Sequence, residues 1–171
     1  MSYVAFQYAE ALFTLALENK QIDDVLDAYK AFLNAQDEDI YKFLNHPKVS
    51  KKNKKEVIGN AITNGLFKNF VFVLIDNSRI DHLDDCFEEL KKIVDNQNRI
   101  MNVFVYSMKP LKKEELDKLR LNLKKKHNRI IKLENIVDKS IVGGLRIEYD
   151  GNVLDDTINN FLGSLKANLT R

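Results

Sequence analysis

The hydrophobic period changes once along this chain, and that change constrains the fold more than any other feature. Up to about residue 98 the apolar residues recur every three or four positions, which is the repeat of a helix. From Met101 onward Met101, Val103 and Val105 alternate with Asn102, Phe104 and Tyr106, which is the repeat of a strand. One segment cannot satisfy both repeats, so a helical part is followed by a mixed part. Charge divides at the same place: residues 1 to 98 hold 12 basic and 16 acidic side chains, residues 99 to 171 hold 15 and 9. Two units with different partners are expected, 1–98 and 99–171.

In the helical part, Ser2 to Asn19 is almost entirely helix-forming, and its polar residues Gln7, Glu10, Thr14 and Glu18 make one narrow stripe. Tyr3, Phe6, Tyr8, Ala9, Ala11, Leu12, Phe13, Leu15 and Ala16 occupy the rest of the circumference, more apolar surface than one core contact buries. Ile22, Val25, Tyr29, Phe32 and Leu33 mark an ordinary amphipathic helix. A short helix from Asp37 stops at Asn45-His46-Pro47, where proline lacks a donor and turns its neighbour from helical geometry. Ser50 is placed to cap a helix carrying Val57, Ile58, Ala61 and Ile62, with Lys51, Lys52, Lys54 and Lys55 on its solvated side. Leu66 to Asp76, with Phe67, Phe70, Val71, Phe72, Val73, Leu74 and Ile75, is a second helix without a polar face. Leu83, Phe87, Leu90 and Ile93 set the sixth. Six helices with short connections make an antiparallel bundle of about a hundred residues.

Beyond the switch, the first strand is followed by a helix opened by Pro110 and running through Leu116, Leu119 and Leu123 into the basic run Lys124 to Arg129. Ile130 to Val137 reads as a second strand; Leu145, Ile147 and Tyr149 read as a third, closed by the turn pair Asp150-Gly151. Asp155 is a good N-cap for a last helix with Ile158, Phe161, Leu162, Leu165 and Leu169 on one face. The fold class is therefore mainly α: an N-terminal six-helix bundle, then a small α+β domain of βαββα order.

The pattern excludes several chemistries. Gly143-Gly144 lacks the Gly-Lys-Ser/Thr that cradles phosphate and reads as a bend or close backbone approach. His46, His82, His127 and the single Cys86 have no metal-ligand spacing, so no metal and no disulfide are expected. Asp155-Asp156 has no base or nucleophile nearby in sequence and reads as helix-cap acidity; no catalytic residue and no cofactor are expected. The first seventeen residues carry Glu10 and no basic leader, and the apolar run Phe70 to Ile75 is far short of the roughly 20 residues that span a bilayer. A basic segment, residues 109–132, leaves one alternative, a small nucleic-acid-binding protein, although it lacks the Gly-aromatic motif of an RNA-stacking sheet. The excess apolar surface of the first and fifth helices favours partner binding instead.

Four pieces carry a family resemblance. They are Tyr8-Ala9-Glu10-Ala11-Leu12-Phe13; Phe43 to Ser50 with Lys54 and Val57-Ile58; Asn77-Ser78-Arg79-Ile80 with Leu83; and Asp138 to Leu145 followed by Asp155-Asp156-Thr157. In this order and spacing the chain resembles the delta subunits of bacterial F-type ATP synthases, a family that includes the mitochondrial oligomycin-sensitivity-conferring protein. The resemblance implies a non-catalytic stator subunit, one copy per complex, peripheral on the cytoplasmic face of the bacterial plasma membrane. It implies that the helical domain binds the N-terminal helix of an alpha subunit between the first and fifth helices, at Tyr8, Ala11, Leu12, Leu15, Asn69, Phe70 and Val73. It further implies that the C-terminal domain holds the paired b subunits of the peripheral stalk, with Gly143, Gly144, Asp155 and Thr157 as its structural motif. Thr157 stands where the family often has serine, and Asp150-Gly151 shifts the usual turn glycine.

Overall fold

The computed structural model describes residues 3–160. The chain divides into two compact units, Met1–Val94 and Asp95–Arg171. The division falls inside the last turn of the sixth helix. Asp95 accepts from Asn102 Nδ2 at 2.6 Å and faces Lys132 Nζ at 3.4 Å, and Asn96 Oδ1 accepts from Arg129 at 2.6 Å.

The first unit contains α1 (Tyr3–Glu18), α2 (Ile22–Ala35), α3 (Glu38–Asn45), α4 (Lys51–Ala61), α5 (Gly65–Asp76) and α6 (Leu83–Gln97), with a single 3-10 turn at Ile80–His82. Starts are set by side-chain caps: Asp37 accepts from Ile40 N–H at 2.8 Å, Ser50 from Asn53 N–H at 3.2 Å, and Asn64 from Phe67 N–H at 2.9 Å. Two ends are closed by left-handed residues. Lys20 (φ 55°) ends α1 and Ser78 (φ 54°) ends α5; in each case the next N–H reaches back to the helix, Gln21 to Ala16 O and Arg79 to Leu74 O.

Size decides which arc of α1 faces the core. Ala5, Ala9, Leu12 and Ala16 are buried, a row of mostly small residues that lets the helix lie close, whereas Tyr3, Phe6, Leu15 and Leu17 stay outside. α5 behaves differently from α1: Phe67, Phe70, Val71, Leu74 and Ile75 are all buried, so it is the central helix, and only Val73 among its large residues is exposed. On α4, Ile58 and Ile62 are buried but Val57 is exposed, so only half of the expected apolar face meets the core. Nor is the lysine row entirely solvated, since Lys51 donates to Asp76 O and Lys55 to Asp76 Oδ2, both at 2.6 Å.

Cys86 belongs to this core, and burial pushes its thiol up to about 12. Because the thiolate is the nucleophile, Cys86 is expected to resist maleimide at pH 8 in the folded chain and to react at the rate of a free thiol once denaturant opens the bundle. Fast labelling of the native chain, followed by mass spectrometry, would show that the α6 core is open.

The second unit is a four-stranded sheet, β1 (Ile100–Ser107), β2 (Ile130–Val137), β3 (Leu145–Tyr149) and β4 (Asn152–Asp155), in the order β2-β1-β3-β4. β1 is central, parallel to β2 and antiparallel to β3. The crossover helix α7 (Lys113–His127) covers one face, closing a core of Met101, Val103, Val105, Leu123 and Ile131. Three expectations are corrected. α7 starts at Lys113 and not at Pro110, because Leu111 N–H is taken by Asn135 Oδ1 at 2.9 Å and Glu115 caps Lys112 N–H at 2.8 Å. A fourth strand, absent from the βαββα order, follows Asp150-Gly151, whose φ values of 45° and 78° make it a tight hairpin turn. Asp155 is the last residue of β4 and not the cap of the final helix. Its carboxylate accepts from Thr157 N–H and Oγ1, and Thr157 Oγ1 in turn accepts from Asn160 N–H at 3.3 Å, so the threonine is the cap. Phe161, Leu162, Leu165 and Leu169 lie outside the described residues.

Gly143 and Gly144 lie where the 138–144 loop crosses this cap. Ile158 N–H donates to Gly143 O and Asp156 N–H to Leu145 O, both at 3.0 Å. A Cβ on Gly144 (φ 85°) would stand 2.1 Å from Asp156 O, and one on Gly143 2.8 Å from Ile158 Cδ1. The same loop carries Asp138, which accepts from Ser140 N–H and Oγ as Asp155 does from Thr157. These hydrogen bonds, with help from Arg146, hold both carboxyls below their usual value of 3.8. A depressed folded value means stability that is present above the unfolded value and lost as the pH falls through the folded one. The C-terminal unit is therefore expected to weaken below pH 3.8. Asp155→Asn keeps an acceptor but cannot titrate, so amide exchange in β3 and β4 of that variant should vary less over the acid range. An unchanged acid profile would show that this carboxylate is uncoupled from folding.

Candidate functional site

A groove of ≈ 740 Å³ runs between α1 and α5. Its floor is Leu12 and Phe70, both buried; its walls are Tyr8, Ala11 and Leu15 from α1 and Leu66, Asn69 and Val73 from α5. All seven residues singled out from the sequence therefore line one cavity. Leu15 is 50% exposed and Val73 46%, on the two helices that line the groove. On α1 the adjoining arc of Ala5, Ala9, Leu12 and Ala16 is the one that enters the core, which leaves Leu15 beside it in the groove.

Gln7, Asn19, Gln21, Leu66 and Arg79 also line the groove, and hydrophobic period does not flag them. Four are polar and sit at the rim. The signal that identifies Arg79 is the end of α5: the Ser78 turn fixes Arg79 N–H on Leu74 O at 2.8 Å and turns the side chain back over the helix pair. Its guanidinium carbon lies 5.7 Å from the Tyr8 ring centroid. The Tyr8 hydroxyl accepts from Asn77 Nδ2 at 2.9 Å, and the ring meets Phe70 edge-on at 6.5 Å. Tyr8 is thus held from three sides and forms a fixed wall.

The cavity is lined mainly by side chains of two helices, more of its lining apolar than polar. Among the described residues that line it, Arg79 is the only charged one. Among the described residues no cluster of three His, Cys, Asp or Glu side chains is placed to hold a metal ion, and no helix is long and apolar enough to cross a membrane. A second apolar groove of ≈ 680 Å³ opens between α2, α3 and α4, where the exposed Val57 lies with Phe32, Ile40 and Phe43.

Part of the basic segment is engaged within the fold. Lys124, Lys125, Lys126 and His127 form the last turn of α7, where the helix dipole favours cations. Arg129 pairs with Asp150 at 2.5 Å and Lys132 with Asp95. Nothing in the comparisons with known proteins supports a nucleic-acid-binding role.

The family model described as "ATP synthase delta (OSCP) subunit" matches residues 4–169. The ATP synthase subunit delta of Clostridium botulinum (strain Loch Maree / Type A3) is 35% identical over 169 residues, spanning 96% of this chain and 94% of that protein. The subunit delta of Clostridioides difficile (strain 630) is 31% identical over 176 residues, spanning 99% and 97%. In fold, the chain is similar to one in the cryo-EM structure of the Toxoplasma gondii mitochondrial ATP synthase hexamer, with a TM-score of 0.72, 18% identity and 99% of each chain covered. With relatives this similar over nearly the full length, and a fold that matches as well, the chain belongs to the ATP synthase delta (OSCP) subunit family.

Proposed function

We propose that this chain is the non-catalytic link between the catalytic head and the peripheral stalk of an F-type ATP synthase. The α1/α5 groove takes the N-terminal helix of an alpha subunit, and the C-terminal unit holds the paired b subunits. One copy sits in each complex, peripheral to the cytoplasmic face of the bacterial plasma membrane. A rotary motor does work only if its head is kept from turning with the rotor, and this subunit transmits that restraint. Two modest interfaces in series act cooperatively, because engaging one raises the effective concentration at the other.

The observation that carries this reading is the open groove, with Leu15 and Val73 exposed on facing helices. Val73 makes the cleaner test, since an exposed side chain can be changed without emptying the core. Val73→Asp in the full-length chain is expected to weaken binding of a synthetic alpha-subunit N-terminal peptide by at least about 2 kcal/mol, roughly 30-fold, because it places a charge in a surface that the peptide desolvates. Helicity by circular dichroism should not change. Unaltered binding by isothermal calorimetry would mean that the peptide docks elsewhere, the α2/α3/α4 groove being the next surface to examine.

A further inference from the structure

We propose that the outward face of α7 is the surface on which the paired b subunits dock, through a helix that presents carboxylates to the second half of α7 and a cation to its start. The proposal rests on the reading that the C-terminal unit holds those subunits, and it adds the face and the chemistry of the contact. Leu119 and Leu123 turn one side of α7 to the sheet core. On the other side Glu114, Lys118, Leu121 and Lys125 follow at spacings of four, three and four, which puts them in one stripe, and all four are exposed. Leu121, 57% exposed, lies in the middle of that stripe.

The cations of this face have no partner within the chain. Among the described residues Lys118, Lys124 and Lys125 make no ion pair, whereas Arg129, Lys132 and Arg146 of the same unit each have a carboxylate within 3.4 Å. The helix dipole accounts for Lys124 and Lys125 in the last turn, but its effect fades within that turn and Lys118 stands well before it. The order of charge along the helix decides what kind of partner fits. Glu114 and Glu115 occupy the first turn and Lys124, Lys125 and Lys126 the last, so the face is acidic at one end and basic at the other. A phosphate backbone or an anionic bilayer offers one sign throughout and is repelled at the acidic end. A helix of opposite polarity matches both ends. It can lie along the 15 residues of α7, about 22 Å, with an apolar side chain over Leu121. The stems of Lys118 and Lys125 then flank that contact while their ammonium groups stay at its wet edge.

The test is charge reversal in the full-length chain, with the soluble part of the paired b subunits as the probe. Lys118→Glu/Lys125→Glu changes two exposed side chains, so the fold should hold, which circular dichroism and amide exchange in β1 to β3 check. Lys109→Glu/Lys139→Glu alters net charge by the same amount at exposed loop residues of the same unit and is the control. The α7 variant is expected to lose roughly 30-fold in affinity at low salt, chiefly through slower association, and the control about threefold at most. The gap should narrow at high salt. Leu121→Ala leaves every charge in place and should weaken binding several-fold at any salt concentration. Equal losses in the two double variants would show a net-charge effect and overturn the assignment to α7. If the natural chain binds the probe and no α7 variant changes that binding, the b subunits use another face and the proposal fails alone. If the natural chain does not bind the probe, the reading beneath it fails as well. If phosphatidylglycerol vesicles or single-stranded RNA bind the natural chain and are lost from the Lys118→Glu/Lys125→Glu variant, while its b binding is unchanged, the face belongs to a polyanion and the helix partner is wrong.

Discussion

Gly144→Ala is expected to unfold the C-terminal unit and leave the helical unit folded. The new Cβ would stand 2.1 Å from Asp156 O and 2.9 Å from Thr157 Cα, backbone atoms that no rotamer change can move, and φ of 85° is itself unfavourable for alanine. Relief requires separating the 138–144 loop from the 155–158 turn, which breaks the hydrogen bonds Ile158 N–H to Gly143 O and Asp156 N–H to Leu145 O. The loss should exceed about 3 kcal/mol. A unit of this size, with no disulfide or metal among its described residues, holds only a few kcal/mol in reserve. Hydrogen exchange on the full-length variant should show lost protection from Met101 to Tyr149 and retained protection in α1 to α5. Gly151→Ala is the control, since its φ is also positive, 78°, but its Cβ would meet nothing within 4 Å. It should lose only about 1 kcal/mol. Equal protection in the two variants would show that the crossing is looser than the structure has it.

The second large effect is expected at Tyr29, a fully buried side chain of the helical unit. Its ring lies 4.5 Å from Phe67, 4.9 Å from Phe87 and 5.8 Å from Phe70 between centroids, and its hydroxyl donates to Leu83 O at 2.8 Å. That carbonyl stands at the first residue of α6, so one side chain joins α2, α5 and the start of α6. Tyr29→Ala removes the ring and the second hydrogen bond to a carbonyl that already belongs to the helix ladder, and a loss of about 4 kcal/mol is expected, mostly from the ring. Tyr29→Phe keeps the ring and should cost only about 1 kcal/mol, the net worth of one buried hydrogen bond. Burial pushes the Tyr29 hydroxyl well above its ordinary value, so alkali should not ionise it until the bundle opens. Denaturant melts of the two variants decide the matter; equal losses would assign the stability to the hydroxyl and none to the aromatic cluster.

How far these features could be foreseen depends on what each element's period leaves open. Helix and strand identity followed from the repeats, because Leu83, Phe87 and Leu90 can share a face only on a helix and Met101, Val103 and Val105 only on a strand. Orientation was harder. On α1 and α5 apolar residues cover most of the circumference, so period cannot say which of them turn inward; the row of alanines settled it for α1, and the rings packed on Tyr29 settled it for α5. β4 escaped notice because it is four residues long with Val153 and Leu154 both exposed, although Asp150-Gly151 is the turn that should have announced it. The cap at Thr157 and the start of α7 depend on which side chain wins a backbone N–H, and Asn135, twenty-four residues from Leu111, won one of them. Arg79 was legible only as part of a motif; its place at the groove comes from a left-handed serine that no repeat announces.

The position of β1 has a mechanical consequence. The chain leaves α6 at Gln97 and within three residues enters the middle strand of the sheet, not an edge. Tension arriving along the backbone from the first unit is therefore applied lengthwise to a strand gripped on both sides, over the full eight-residue register with β2 and a five-residue register with β3. Hydrogen bonds loaded this way share the force and must yield together, whereas an edge strand peeled from its end would surrender them one at a time. A tether entering through the centre of a sheet is stiff along its length while its connecting turn stays short, which is the property wanted of a part that resists torque.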